Sequence, residues 1–212
     1  MFSDHYEDWR LTRLNTVKKY VEPGYFQGKT LLELGCGHGD IGHAFHELGA
    51  IVTSSDGRAE HLEVVQKKYP HLKTLCIDGD RVDLQDEYDV VVHWGLLYHL
   101  REIEEHLEKV SQKCRDLLLL ETEVCDSDDP DFFITTNEEG YDQALNKKGI
   151  RPSPSYVEKI LEKNGFRWTL VKDPGLNSGF HCYDWTTTNS KQFRDGLRRF
   201  WICYNVKSIL SG

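Results

Sequence analysis

The sequence predicts a doubly wound α/β sheet of seven strands, mostly parallel with an antiparallel last strand, with helices on both faces. Three observations carry that expectation. From residue 29 onward, short apolar runs alternate with charged stretches of helical length, the rhythm of successive βαβ units. Two of the runs, residues 88–93 and 116–124, are almost continuously apolar, with leucine at every position from 117 to 120. Strands of that texture are covered on both faces, as in a parallel sheet. The first run ends in Gly35-Cys36-Gly37-His38-Gly39, a turn of the kind that carries a strand into a helix.

Each element has its own signal. Residues 4–21 space Tyr6, Trp9, Leu14, Val17 and Tyr20 among charges, which predicts one or two amphipathic helices stopped by Pro23-Gly24. Residues 30–34 form the first strand, with a helix to residue 48. Residues 50–55 form the second, ending at Asp56, with a helix over 59–68, and residues 72–77 the third, ending at Asp78-Gly79. The fourth strand covers 88–93, a charged helix 101–112 and the fifth strand 116–124. Residues 125–151, rich in Asp, Glu, Asn and Gly, break the rhythm and predict a lid or binding insertion. Pro152-Ser153-Pro154-Ser155 opens a helix over 156–163 that stops at Asn164-Gly165. Residues 166–172 and 179–187 read as the last two strands, around Asp173-Pro174-Gly175, and 191–204 as a terminal helix.

Composition narrows the function. The chain has 212 residues, 39% of them hydrophobic and 11% aromatic, enough for one buried core. Its 26 Lys and Arg against 35 Asp and Glu give a net charge of −9, opposite to the footprint of proteins that grip phosphate backbones. Broad nucleic-acid binding is disfavoured. Six cysteines with no CxxC pair and no zinc-site spacing read as reduced thiols of a cytoplasmic protein. The first ten residues, with Asp4, His5, Glu7 and Asp8, do not resemble a secretory signal. The apolar run 90–100, broken by His93 and His99, is far short of the roughly 20 residues a membrane span needs. Asp126, Asp128, Asp129 and Asp131 read as a solvated acidic loop, so no metal is expected.

The strongest motif is the glycine loop. Alternate glycines allow a tight turn and let a ligand approach bare backbone. A dinucleotide fingerprint would place its third glycine where Asp40 stands, and a carboxylate at a helix start repels a pyrophosphate. The pattern therefore points to a nucleoside without phosphates and away from a nicotinamide dehydrogenase. With Glu33 two positions before Gly35, the sequence resembles the class I S-adenosylmethionine-dependent methyltransferases, whose first motif is an acidic residue followed by GxGxG. The resemblance extends over residues 29–124 and, more loosely, over the late strands. It implies S-adenosylmethionine as methyl donor. It also implies roles: Glu33 toward the donor ammonium, Gly35, Cys36, Gly37 and Gly39 beneath the methionine portion, and Asp56 on the ribose hydroxyls. Gly57 and Arg58 would follow the ribose, with Arg58 over adenine, Asp78 and Gly79 would meet the adenine edge, and His93 and Trp94 would wall the sulfonium. One domain results, with a helical lid at 1–28, a donor-binding half at 29–124, an insertion at 125–151 and an acceptor-side part at 152–212.

Methyl transfer needs orientation and, for a hydroxyl or protonated amine, a base. The base candidates are His99, His93 and Glu121; histidine titrates near neutrality, and Glu121 shares a strand face with Glu123. The acceptor-pocket candidates are Trp9, Arg13, Tyr98, Phe132, Phe133, Tyr141, His181 and Tyr183, with Asp184 and Trp185 beside them. Arg198 and Arg199 would either recognise an acidic acceptor or face solvent from the terminal helix. His93-Trp94-Gly95-Leu96 stands where amino-group methyltransferases of adenine carry Asn/Asp-Pro-Pro-aromatic, and a Pro-Cys nucleophile is absent. These residues point to a small-molecule acceptor methylated on oxygen, nitrogen or carboxylate, with no membrane partner. Two alternatives stand beside it. Residues 92–100 and 117–123 are similar to a stretch of the transferases that carboxymethylate the wobble uridine of tRNA; that reading requires a basic surface and a cationic group beside the donor methyl. The other is a catalytically silent protein that binds S-adenosylmethionine.

Overall fold

The computed structural model describes residues 4–141, 143–183 and 186–209, with side chains from residue 9 to residue 207. The opening charged stretch forms α1 (Asp4–Val17). The predicted alternation then follows in order: β1 (Thr30–Leu34), α2 (Asp40–Glu47), β2 (Ile51–Asp56), α3 (Ala59–Lys68), β3 (Lys73–Cys76), β4 (Tyr88–Trp94), α4 (Ile103–Lys113) and β5 (Cys114–Cys125). A hairpin of β6 (Phe133–Asn137) and β7 (Lys148–Pro152) comes next, then α5 (Pro154–Lys163), β8 (Phe166–Leu170) and β9 (Phe193–Asn205).

Seven strands form one sheet in the order β3-β2-β1-β4-β5-β9-β8. β1 to β5 run parallel, and β9 is antiparallel to both of its neighbours. The order reverses between β1 and β4, so a crevice opens at their carboxyl ends, where ligands bind in sheets of this kind. The run of leucines in β5 explains its own texture. Leu118 and Leu120 pack with Leu32, Val91, Ile103 of α4 and Ile160 of α5. Leu117 and Leu119 pack on the other face with Leu31, Val90, Val17 of α1, Phe45 of α2 and Val65 of α3. Both faces are covered along this run, which is why leucine stands at each of its four positions. No helix among the described residues is long and apolar enough to cross a membrane.

Two expectations change. Residues 179–187 do not form the seventh strand: the described part is irregular, joined to the sheet by an isolated bridge between Cys182 and Leu197. The strand is β9, from the segment read as a terminal helix. Arg198 and Arg199 lend that segment a helical spacing of charges, yet both lie buried inside the sheet. They are tolerated there because Arg198 pairs with Glu121 and Glu123 while Arg199 donates to the carbonyls of Arg198 and Thr186. The insertion contains an antiparallel hairpin, from Phe133 opposite Pro152 to Asn137 opposite Lys148. Its strands, FITTN and KGIRP, are too short and polar to announce themselves. Asp184 and Trp185 lie outside the described residues.

Glu33, expected to face the donor ammonium, lies behind the glycine loop instead, between β1, β2 and α2. Its Oε2 accepts the Ser54 hydroxyl at 2.8 Å, and it is 2% exposed. Burial, only partly offset by the hydrogen bonds from Ser54 and Gly42, pushes its carboxyl up to about 8. Gly42 makes the fit possible, since a Cβ there would stand 2.5 Å from Glu33 Oε2. Gly39, another expected donor contact, starts α2 in the left-handed region at φ 79° and packs toward Val65.

Two predictions follow from these contacts. A Cβ on Gly149 of β7 would sit 2.1 Å from the Tyr98 carbonyl oxygen and 3.1 Å from the His99 Cα. Gly149→Ala should therefore push the hairpin off that turn and lower the melting temperature, by the equivalent of about 1–3 kcal/mol for an overpacked contact; an unchanged melting temperature contradicts the close approach. Folded Glu33 keeps its proton up to about pH 8 whereas the unfolded chain loses it near 4.5. Between those values the folded state binds the extra proton, so its stability falls as pH rises, by at most about 1.4 kcal/mol per pH unit. Chemical denaturation of the parent protein and Glu33→Gln side by side isolates this contribution: the parent's stability relative to the variant should fall as pH rises through that window, and a pH-independent difference contradicts the buried, protonated Glu33.

Candidate active site

A cavity of about 290 Å³ occupies the crevice at the carboxyl ends of β1, β2 and β4. Its floor is the glycine loop. Gly35 and Gly37 have φ of +69° and +53°, and a Cβ on Gly35 would stand 3.1 Å from Leu96 Cβ on the facing wall. Asp56 closes the next side: its Oδ2 accepts the Gly37 N–H and its Oδ1 the Arg58 N–H, each at 2.9 Å. Asp78 Oδ1 accepts the Asp80 N–H at 3.0 Å and so caps the short turn Gly79–Arg81. Cys36, Gly57, Arg58, Gly79 and Trp94 also line the cavity. Trp94 brings a buried indole N–H without a partner in the structure, a donor available to a ligand acceptor. Asp40 turns away: its carboxylate pairs with Arg10 at 2.8 Å and with Lys68, so it does not oppose a phosphate in the way its position suggested.

His93 is not a wall of this cavity. It is fully buried on the opposite face of β4, with Nε2 2.7 Å from Nε2 of His106, whose Nδ1 lies 2.8 Å from the Gly79 carbonyl. A carbonyl only accepts, so His106 carries its proton on Nδ1, and its bare Nε2 accepts from His93. Burial holds His106 down at about 4 and His93, beside it, well below the ordinary imidazole range. The pair is neutral, and it braces the turn at Gly79 instead of serving as a base.

Trp9, Arg13, Tyr98 and His99 do line the cavity, together with Arg198. The Arg13 guanidinium contacts two indoles, 3.7 Å from the Trp9 ring centre and 4.8 Å from that of Trp94. Behind this wall runs a buried ladder of alternating charges. Glu121 accepts from Arg198 at 2.9 Å, from Arg13 at 3.3 Å and from the Tyr183 hydroxyl at 3.1 Å. Arg198 continues to Glu123 at 3.3 Å, Glu123 to Arg151 at 2.6 Å, Arg151 to Glu138 at 2.7 Å, and Glu138 to His99 Nδ1. Glu121 is thus no base: burial alone would raise its carboxyl, but Arg198 and Arg13 hold it below the usual range with both oxygens taken. His181 and Tyr183 stand one layer back, His181 stacked on Trp9 at 3.7 Å and Tyr183 accepting the Trp9 indole N–H at 3.0 Å. Phe132, Phe133 and Tyr141 do not line the cavity. Phe133 stacks on Tyr156, Phe132 lies under Lys191, and Tyr141, 70% exposed, reaches Glu60.

The hairpin supplies positions that the motif gave no reason to suspect. Its tip, with Gln143, Ala144 and Leu145, lines the same cavity as Asp56, Arg58 and Asp78. Arg58 Nη2 donates to the Gln143 carbonyl at 2.6 Å and Asn146 Nδ2 to Asp80 at 2.7 Å. Arg58, pictured over adenine, is occupied in holding this tip. The acids after β5 are engaged elsewhere: Asp126 accepts from Thr187, Thr188 and Ser190, and Asp129 from Lys191.

Comparison with known proteins agrees with this geometry. Residues 6–171 match the model of a methyltransferase-domain family. Curated relatives include the tRNA U34 carboxymethyltransferases of Hahella chejuensis, 29% identical over 202 residues covering 89% of this chain and 59% of theirs, and of Shewanella oneidensis, 32% identical over 172 residues covering 75% and 48%. The chain thus spans between about half and three fifths of the length of such relatives. Among solved structures, an S-adenosylmethionine-dependent methyltransferase from Mesorhizobium loti superposes with a TM-score of 0.65 at 14% identity, covering 92% of this chain and 98% of that one. Magnesium protoporphyrin IX methyltransferase from Synechocystis with bound S-adenosylmethionine gives 0.59 at 17% identity, covering 95% and 79%. The family match covers the glycine loop and the acid that ends β2, and on it the chain belongs to the methyltransferase-domain family.

Proposed function

We propose that the protein transfers the methyl group of S-adenosylmethionine to a small-molecule acceptor. The observation that carries the reading is Asp56 facing the glycine loop across the cavity, a carboxylate at the end of β2 where it can exchange the Gly37 N–H for ribose hydroxyls. The residues present fit the donor. Bare backbone at Gly35 and Gly37 leaves room for the methionine portion, Asp78 and Gly79 border the position of adenine, and the Trp94 N–H offers a buried donor. When bound, the donor supplies a methyl on a sulfonium, already activated for displacement. The chain then orients the acceptor, excludes water and, where the acceptor carries a proton, receives it.

Charge favours a small acceptor over tRNA. The cationic group that the tRNA reading requires is met by Arg13 and Arg198, but Glu121 already pairs with both, and the chain as a whole carries −9. The acceptor wall is aromatic and enclosed, with Trp9 7% and Trp94 5% exposed. A structural neighbour named for magnesium protoporphyrin IX is a precedent for small acceptors on this fold.

Asp56→Ala should weaken S-adenosylhomocysteine binding in calorimetry by about 1–3 kcal/mol, the loss of a charged hydrogen-bonding partner; equal affinity defeats the ribose assignment. At a ligand concentration about 100 times the dissociation constant, S-adenosylmethionine should stabilise the protein by about 2.7 kcal/mol in thermal melts. NAD should give no shift, and a shift with NAD alone overturns the choice of donor.

A further inference from the structure

The turn that carries His99 meets two residues from the hairpin. Glu138 follows β6 directly, is 2% exposed, and places Oε2 on His99 Nδ1. Its other oxygen pairs with Arg151 of β7 at 2.7 Å, and Arg151 Nη1 donates to the Tyr98 carbonyl at 3.0 Å, next to His99 in the chain. Gly149 lies flat against the same turn, since a Cβ there would overlap the Tyr98 carbonyl. Glu138 is therefore fixed from several sides, and His99 is its side-chain partner that borders the cavity. Oε2 also accepts the Ala144 N–H at 3.1 Å, from the hairpin tip that lines the same cavity.

We propose that Glu138 is a positioning residue: it holds the His99 ring with Nδ1 protonated, so that Nε2 is the acceptor presented to the cavity, and it ties this orientation to the hairpin tip beside the donor. A carboxylate facing one ring nitrogen selects the tautomer that donates to it. Glu138 remains ionised to do so, because burial is more than offset by His99 and Arg151, which hold its carboxyl below the usual range. The consequence, which rests on the methyltransferase reading, is an acceptor that sheds a proton: a hydroxyl or an amine, not a carboxylate. As the acceptor heteroatom bonds to the methyl carbon, the carbon–sulfur bond breaks with its electron pair returning to sulfur. The acceptor proton passes to His99 Nε2, where the imidazolium is stabilised by Glu138 and later gives its proton to water. Neither Phe132, Phe133 nor Tyr141 on the same insertion takes part.

Long-range proton–nitrogen spectra of protein labelled in histidine, with His99 assigned by its loss in His99→Gln, report the tautomer without ligand or turnover. Wild-type His99 should show Nδ1 protonated and Nε2 bare. In Glu138→Gln the signal should move toward an Nε2-protonated or exchanging ring. An Nε2-protonated ring in the wild type, or an unchanged tautomer in the variant, overturns the proposal, and the wild-type spectrum decides alone if the variant does not fold. Incubation of metabolite extract with methyl-labelled S-adenosylmethionine tests the acceptor class. Label retained after mild base supports an ether or methylamine product, and label released as methanol marks an ester and overturns the class. Failure of the protein to bind S-adenosylhomocysteine would instead defeat the methyltransferase reading and leave the tautomer result standing.

Discussion

Glu121 sits in the middle of the sheet with no exposed surface, and much of the molecule is arranged around its charge. An isolated carboxylate in that position would cost several kcal/mol in lost hydration. Arg198 from the adjacent strand β9, Arg13 from α1 and the Tyr183 hydroxyl meet it within 3.3 Å. Those partners impose the architecture of the cavity wall that Trp9, Arg13 and Arg198 form. α1 is fastened across the end of the sheet, β9 is pulled in against β5 with arginine inside, and Arg13 is set against Trp9 and Trp94 where it lines the cavity. The alternation continues through Glu123 and Arg151 to Glu138, so the far insertion is held by the same chain of charges. Breaking such a ladder at one member leaves an unpaired buried charge, which typically costs about 3–5 kcal/mol.

The elements from β1 to β5 were legible because their rules are local. β1 and α3 fall on the residues that periodicity assigned, and the glycine loop follows β1 as its spacing requires. The errors arise where charge is placed by partners distant in sequence. Arg198 and Arg199 made residues 191–204 look like a solvated helix, and the glutamates that neutralise Arg198 lie 77 and 75 positions earlier. With that segment misread, Gly179 to Thr187 looked like the better strand, through Tyr183 and His181, whose burial owes to packing on Trp9 and Glu121 instead of to pairing in the sheet. Glu138 carried no local signal, since a glutamate in a polar stretch looks solvated until β7 folds Arg151 onto it.

His93 and His99 show how six residues decide a role. Both flank the end of β4, and both looked equally suited to accept a proton. The inward face of β4 sends His93 into a dry contact with His106, where burial keeps both rings neutral and makes them a brace for the Gly79 turn. The turn at Leu97–His99 brings His99 back to the cavity mouth, beside the hairpin. The two ends of the cavity thus have different support: a neutral histidine pair behind the Gly79 turn and an ionic ladder behind the wall of Arg13 and Arg198.

The central claim is that one cavity holds the donor on Asp56 and the glycine loop with its reactive sulfur toward the wall of Arg13, Tyr98 and His99. The most direct measurement is a crystal structure with S-adenosylhomocysteine bound. The account predicts the ribose hydroxyls on the Asp56 carboxylate, adenine bordered by Asp78 and Gly79, and the sulfur facing that wall with space beyond it for an acceptor. Binding outside this cavity, or inside it with the sulfur turned away from His99, would contradict it.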